Sequence, residues 1–128
     1  MPLLSVKGIL IAAGVSGCLS VMLGAFAAHG LKNQIGDEML AVFNTGVKYQ
    51  SWHACVLLFL GLMAMQSTDT LWRLAAVFIV LGMVLFSGSL YGLSVGGPRW
   101  LGPITPLGGL SFIVAWLCII CAAVKLKI

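Results

Sequence analysis

Acidic residues are almost missing from this chain: Asp37, Glu38 and Asp69 are the only three among 128. None falls within a long apolar run, so no such run holds a carboxylate for general acid–base work or a proton relay. Charged residues of both signs make up 8% of the sequence, against roughly 25% in soluble domains. So sparse a set cannot build a water-facing surface, which excludes a soluble globular domain. The H-E-x-x-H and G-x-S-x-G signatures are also absent, which removes the commonest metalloprotease and hydrolase readings. The four cysteines, Cys18, Cys55, Cys118 and Cys121, all lie in apolar runs and imply no disulfide framework. The Cys118-x-x-Cys121 spacing reads as small buried hydrophobes rather than as a redox pair.

What is abundant is apolar sequence. Hydrophobic residues make up 61% of the chain, and its mean hydropathy is +1.13. Uncharged runs cover residues 8–28, 49–68, 74–98 and 101–124, each long enough as a helix to cross about 30 Å of hydrocarbon. The length suits one domain, 1–128. The expectation is an all-α membrane protein, a four-span antiparallel transmembrane helix bundle with spans at about 8–28, 48–66, 72–94 and 105–124. Ala25-Phe26-Ala27 mimics a signal cleavage site, but the apolar stretch before it exceeds an h-region and three more runs follow, so it reads as a retained span.

Between the first two runs, Asn33-Gln34-Ile35-Gly36 reads as a turn and Asp37-Glu38 as the start of a helical pattern. Met39, Phe43 and Val47 then recur at four-residue spacing opposite Asn44, Lys48 and Ser51. One helix from 37 to 66 would be about 45 Å long, too long for a perpendicular span. The pattern therefore predicts an amphipathic segment in the first loop that bends or tilts into the second span. Thr105 and Pro106 read as the N-cap and first residue of the last helix. Trp52, Trp72 and Trp100 fall near run ends, where interfacial tryptophans collect.

The net charge of +4 is scattered, with no basic patch for nucleic acid. Lys7, Arg73, Lys125 and Lys127 fall on the side of the termini, and Lys32, Lys48 and Arg99 on the other, which favours cytoplasmic termini. Helices in lipid associate through close approach rather than hydrophobic burial. Ala12, Ser16, Ser20, Gly24 and Ala28 recur every four residues, as do Gly88, Gly92 and Gly96. These stripes read as helix-packing faces, and the glycine face is also open to self-association as a homo-oligomer. Membrane lipids are the expected partners.

Polar residues cluster towards the ends of the runs opposite the termini: His29, Tyr49, Gln50, His53, Ser87, Tyr91 and Thr105, with Ser89 beside them. Four readings are open. The cluster can staple helix ends together, or form a vestibule for a small solute or lipid headgroup. The histidines can ligate a metal or haem, but no third ligand is in view. Catalysis lacks a carboxylate. No catalytic residue, metal or cofactor is therefore expected.

The segments Gly24-Ala25-Phe26-Ala27-Ala28-His29-Gly30-Leu31, Tyr49-Gln50-Ser51-Trp52-His53, Leu85-Phe86-Ser87-Gly88-Ser89-Leu90-Tyr91 and Thr105-Pro106-Leu107-Gly108-Gly109 carry a resemblance. Together they resemble the bacterial inner-membrane family known as domain of unknown function 423, related to the eukaryotic transmembrane protein 256. Ala27 departs from the glycine expected there by one methyl group. The resemblance covers essentially the whole chain and implies a four-span protein of the bacterial inner membrane, with no activity attached. The functional expectation is a non-enzymatic structural or accessory membrane protein. The alternative is a small-solute or lipid-headgroup binding or transport protein.

Overall fold

The structure, a computed structural model, describes residues 5–128; residues 1–4 of the expected single domain lie outside the described residues. Among the described residues there are four helices and no strand: α1 (Val6–Leu31), α2 (Asp37–Gln66), α3 (Thr70–Ser94) and α4 (Leu101–Val124). Ser5 caps α1 by accepting the Gly8 amide at 3.0 Å, and Asp69 caps α3 by accepting that of Leu71 at 2.9 Å. Short polar side chains thus satisfy amides that have no partner within the helix. At the far end of α3, Gly96 adopts a φ of 90° and the Gly97 amide bonds to the Gly92 carbonyl at 2.8 Å. This is a Schellman stop, which a side chain at position 96 would strain.

Three helices, α1, α3 and α4, are long and apolar enough to cross a membrane. Helix α2 is less apolar because Tyr49, Gln50, Ser51, Trp52 and His53 interrupt it. It is also longer than the expected 48–66 span. It runs as one continuous α-helix of 30 residues from Asp37, the position at which the sequence begins its helical pattern. The apolar stripe of its first turns packs on protein: Phe43 is buried against Ala27 and Leu31 of α1, with its ring 4.9 Å from that of Tyr91. Helix α4 begins four residues before Thr105. Pro103 falls in its first turn, where a missing amide is harmless, and Pro106 lies inside the helix. Trp72 is not interfacial; it is 1% exposed, edge-on to Phe59 at 5.9 Å. Trp52 and Trp100 are exposed.

Helix α1 packs along α2, α4 along α3, and α2 against α3 joins the two hairpins. The backbones of α2 and α4 never approach closely, and α1 barely meets α3. Two lateral grooves follow, one between α1 and α3 and one between α2 and α4. A π turn at Met83–Ser87 in α3 carries an extra residue. Around it, Phe86 meets α4 while Ser87 bonds to α2. A second π turn, Ala27–Leu31, ends α1.

Glycines set the close approaches, though mostly not the ones in the sequence stripes. A Cβ on Gly108 would lie 2.7 Å from the Phe86 Cα, and one on Gly82 would lie 2.5 Å from the Phe112 ring. Gly46 faces Tyr91 and Gly61 faces Leu10 in the same way. Of the stripe residues, Gly24 does pack, since a Cβ there would lie 3.4 Å from Val47. Ser20 is buried and Ser16 half-buried, and their hydroxyls return to the carbonyls of Gly17 and Ala13. Gly88 meets nothing within 4 Å, Gly92 meets only the tip of Leu101, and Gly96 belongs to the helix stop. Within the chain the Gly88–Gly92–Gly96 stripe therefore forms no continuous packing face. Four-residue spacing defines a stripe but not the direction it points, and the π turn rotates it further.

Gly108→Ala should lower the thermal stability of the detergent-solubilised protein by about 1–3 kcal/mol or abolish folding, because the clash is with backbone. Gly88→Leu should stay within about 0.5 kcal/mol. Equal melting temperatures for the two variants would refute this account of the α3–α4 contact.

Candidate functional site

Gln50 lies in the middle of α2, where the helix is too deep in the bundle for its amide to reach loops. Its Nε2 donates to the Ser16 carbonyl of α1 at 2.9 Å, and its Oε1 accepts from the Tyr91 hydroxyl of α3 at 2.6 Å. One side chain therefore joins three helices. The direction of the bonds fixes the orientation of the amide, since a carbonyl can only accept. One turn away, the buried Ser87 hydroxyl donates to the Gly46 carbonyl at 2.8 Å. Gly46 is required there because a Cβ would lie 2.8 Å from the Tyr91 ring.

A second set of bonds ties in α4. Trp116 Nε1–H donates to His53 Nε2 at 3.3 Å. An accepting Nε2 leaves the proton of a neutral ring on Nδ1, which donates to the Tyr49 carbonyl at 2.7 Å. The imidazole stacks on Phe112 with centroids 3.8 Å apart. Nearby, the Ser89 and Thr105 hydroxyls share a hydrogen bond at 2.5 Å, and Ser111 donates to the Phe78 carbonyl at 2.7 Å. Polar groups inside an apolar bundle are costly when unpaired, by about 1–3 kcal/mol each. Here the hydrogen bonds of Gln50, His53, Ser87, Tyr91 and Ser111 go to one another, to other side chains or to backbone carbonyls, whereas the buried Trp72 Nε1–H makes none among the described residues.

The structure thus brings Gln50, Ser87 and Tyr91 together around α2 and α3, and His53 and Thr105 to α4. It does not bring in His29. That residue is exposed on the π turn that ends α1. The α1–α2 pairing matches Gly24 with Val47 and Gly17 with Ala54, which sets His29 roughly 11 residues, or about 16 Å, along the bundle from His53. The sequence places the two at similar depth because it begins the second span near Lys48. The α1–α2 register removes that premise, and with it the reading of the histidines as a ligand pair. Tyr49 lines the α2–α4 groove, but its hydroxyl makes no hydrogen bond among the described residues. Among those residues no group of three or more His, Cys, Asp or Glu side chains gathers.

Sequence reasoning missed three participants: the Ser16 carbonyl, Trp116 and Ser111. A backbone acceptor leaves no trace in sequence. Trp116 and Ser111 do, because an indole N–H or a hydroxyl within an uncharged run needs a partner.

Long apolar helices, side-chain hydrogen bonds that cross between them inside the bundle and an almost acid-free sequence define an all-helical membrane protein. The chain belongs to the family described as protein of unknown function (DUF423), whose model matches residues 23–109. That stretch contains Gln50, His53, Ser87, Tyr91 and Thr105. Over 124 residues the chain is 44% identical to the UPF0382 membrane protein YwdK of Bacillus subtilis, covering 93% of this chain and 98% of the relative. It is 41% identical over 119 residues to the UPF0382 inner membrane protein YgdD of Escherichia coli, covering 92% and 90%. A UPF0382 membrane protein of Staphylococcus haemolyticus is 42% identical over 108 residues, covering 84% and 87%. No solved structure matches the chain.

The Gln50–Tyr91 bond should appear in a double-mutant cycle. Gln50→Leu and Tyr91→Phe, alone and together, should give a coupling of about 0.6–1.7 kcal/mol in detergent or bicelles. Strict additivity would show that the two groups do not interact.

Proposed function

We propose that this is a four-span inner-membrane protein with a structural or accessory, non-enzymatic role, in which α2 is the fourth span and the polar interior ties the helices together. The observation that carries this reading is the pair of bonds by which Gln50 joins α1, α2 and α3. They account for one of the polar residues, Gln50, that make α2 a poor span by composition. Polar side chains that meet one another inside the bundle do not face hydrocarbon, so their cost in lipid is largely removed. An interior closed on itself also supports a staple over a solvated vestibule, and both ring nitrogens of His53 are already engaged.

At about 45 Å, α2 exceeds the hydrocarbon thickness of roughly 30 Å. Its first three turns then project past the apolar core, with the exposed Asp37 and Glu38 at headgroup level or beyond. The termini are cytoplasmic in this reading, with Lys7, Arg73, Lys125 and Lys127 on that side. Lys125 there sits 3.5 Å from Asp69, a surface pair of an exposed lysine and a half-buried carboxylate worth about 0–1 kcal/mol.

Two measurements test the reading. A phosphatase fused after Ile128 should be inactive and a fluorescent protein there bright; the opposite pattern reverses the topology. In cells lacking the chromosomal copy, Gln50 and His53 variants should restore any phenotype in proportion to the amount of folded protein. A His53→Phe protein that accumulates normally yet restores nothing would contradict a purely structural role.

A further inference from the structure

The groove between α2 and α4 has features that the tie-point role does not use. Its volume is about 620 Å³, within the range of small-ligand sites. Its walls are aromatic and aliphatic, with Tyr49 and His53 on α2 facing Gly109, Ile113 and Trp116 on α4 over a floor of Phe86. The α1–α3 groove is by contrast aliphatic at its Gly8–Ala12 end and meets only the uncharged Ser16 and Gln50 further along.

The rim of the α2–α4 groove carries a placed positive charge. The Lys48 ammonium lies 5.9 Å from the centre of the Trp52 ring, and that ring lies 5.3 Å from Tyr49. The cation and the groove wall thus share Trp52 as a neighbour. The Tyr49 hydroxyl makes no hydrogen bond among the described residues and is free to donate. No acidic residue offsets this charge: Asp37 and Glu38 lie roughly 15 Å further along α2, and Asp69 is at the opposite end of the bundle. Measured about 30 Å from the Gln66 end of α2, Lys48 falls near the hydrocarbon boundary, with the groove just beneath it.

We propose that this groove binds one anionic phospholipid, with an acyl chain along Tyr49, Phe112 and Trp116 and the phosphate at Lys48 and the Tyr49 hydroxyl. The complementarity is that of an amphiphile: apolar length below, one cation and one donor above. The proposal rests on α2 being a membrane span.

The test is native mass spectrometry of the protein released from equimolar phosphatidylglycerol–phosphatidylcholine vesicles. The wild type should retain phosphatidylglycerol about fivefold over phosphatidylcholine, the preference expected of one lysine at an anionic lipid. Lys48→Ala should bring the ratio close to that of the vesicles. Gly109→Leu should reduce bound lipid of either kind several-fold, because a Cβ there meets only the Phe86 ring at 3.9 Å and the side chain fills the groove. A wild-type ratio equal to that of the vesicles overturns the proposal, as does a ratio unchanged by Lys48→Ala. A dimer that Gly109→Leu abolishes would assign the groove to a second copy. Protection from aqueous thiol reagents of Leu58→Cys, an outward-facing position of α2, in a chain whose four native cysteines are replaced by serine checks the α2 span separately, so a lost preference with protection intact counts against the lipid site alone.

Discussion

Inside a bundle surrounded by lipid, the side-chain amide of Gln50 has two donor hydrogens and an accepting oxygen and no water to satisfy them. Its bonds to the Ser16 carbonyl and the Tyr91 hydroxyl meet that demand, and in doing so they constrain three helices at one level. Much else follows from this constraint. Tyr91 must approach α2 closely, so position 46 must lack a side chain. The π turn at Met83–Ser87 lets α3 bond through Ser87 to α2 while Phe86 still packs on α4. In water such bonds would contribute little net stability. Here their absence would leave buried polar groups unpaired, and that asymmetry gives them their importance.

Packing supplies the remainder. Lipid offers helices no hydrophobic reason to associate, so contact must come from dispersion at close range. Gly108 against Phe86, Gly82 against Phe112 and Gly61 against Leu10 provide it along the two hairpins. Between the hairpins lie fully buried larger side chains, Trp72, Leu57, Leu60 and Ile79. The result is an open arrangement in which α1 and α4 flank a central α2–α3 pair. The grooves on either side are the consequence of that openness.

Helix positions are legible in the sequence where charge marks the limit, as at Lys7, Arg73 and Lys125. The start of α2 at Asp37-Glu38 is legible too, but what its first turns meet is not, because the stripe through Phe43 reads as interfacial while Phe43 packs against α1. Thr105 misleads in the same way, since Pro106 suits a first turn but Pro103 suits it equally and comes earlier. Composition points to Gln50, Ser87 and Tyr91 as unusual, yet spacing alone cannot say that Gln50 bridges helices while Tyr49 beside it turns into a groove. The Gly88 stripe fails for a related reason: helical period fixes which residues share a face, and the tertiary fold decides what that face meets. His29 belongs to the family segment around Gly24–Leu31, but only the antiparallel register reveals its distance from His53.

The central claim is that the Gln50 amide is closed off and bonded within the bundle, and its own protons report on this directly. Selective ¹⁵N labelling of glutamine in a bicelle sample gives three side-chain amides, with the exposed Gln34 and Gln66 as internal references. After transfer into D₂O the Gln50 signal should persist long after those of Gln34 and Gln66 have vanished, and Tyr91→Phe should shorten its lifetime. Exchange of the Gln50 amide as fast as that of Gln66 would contradict the account.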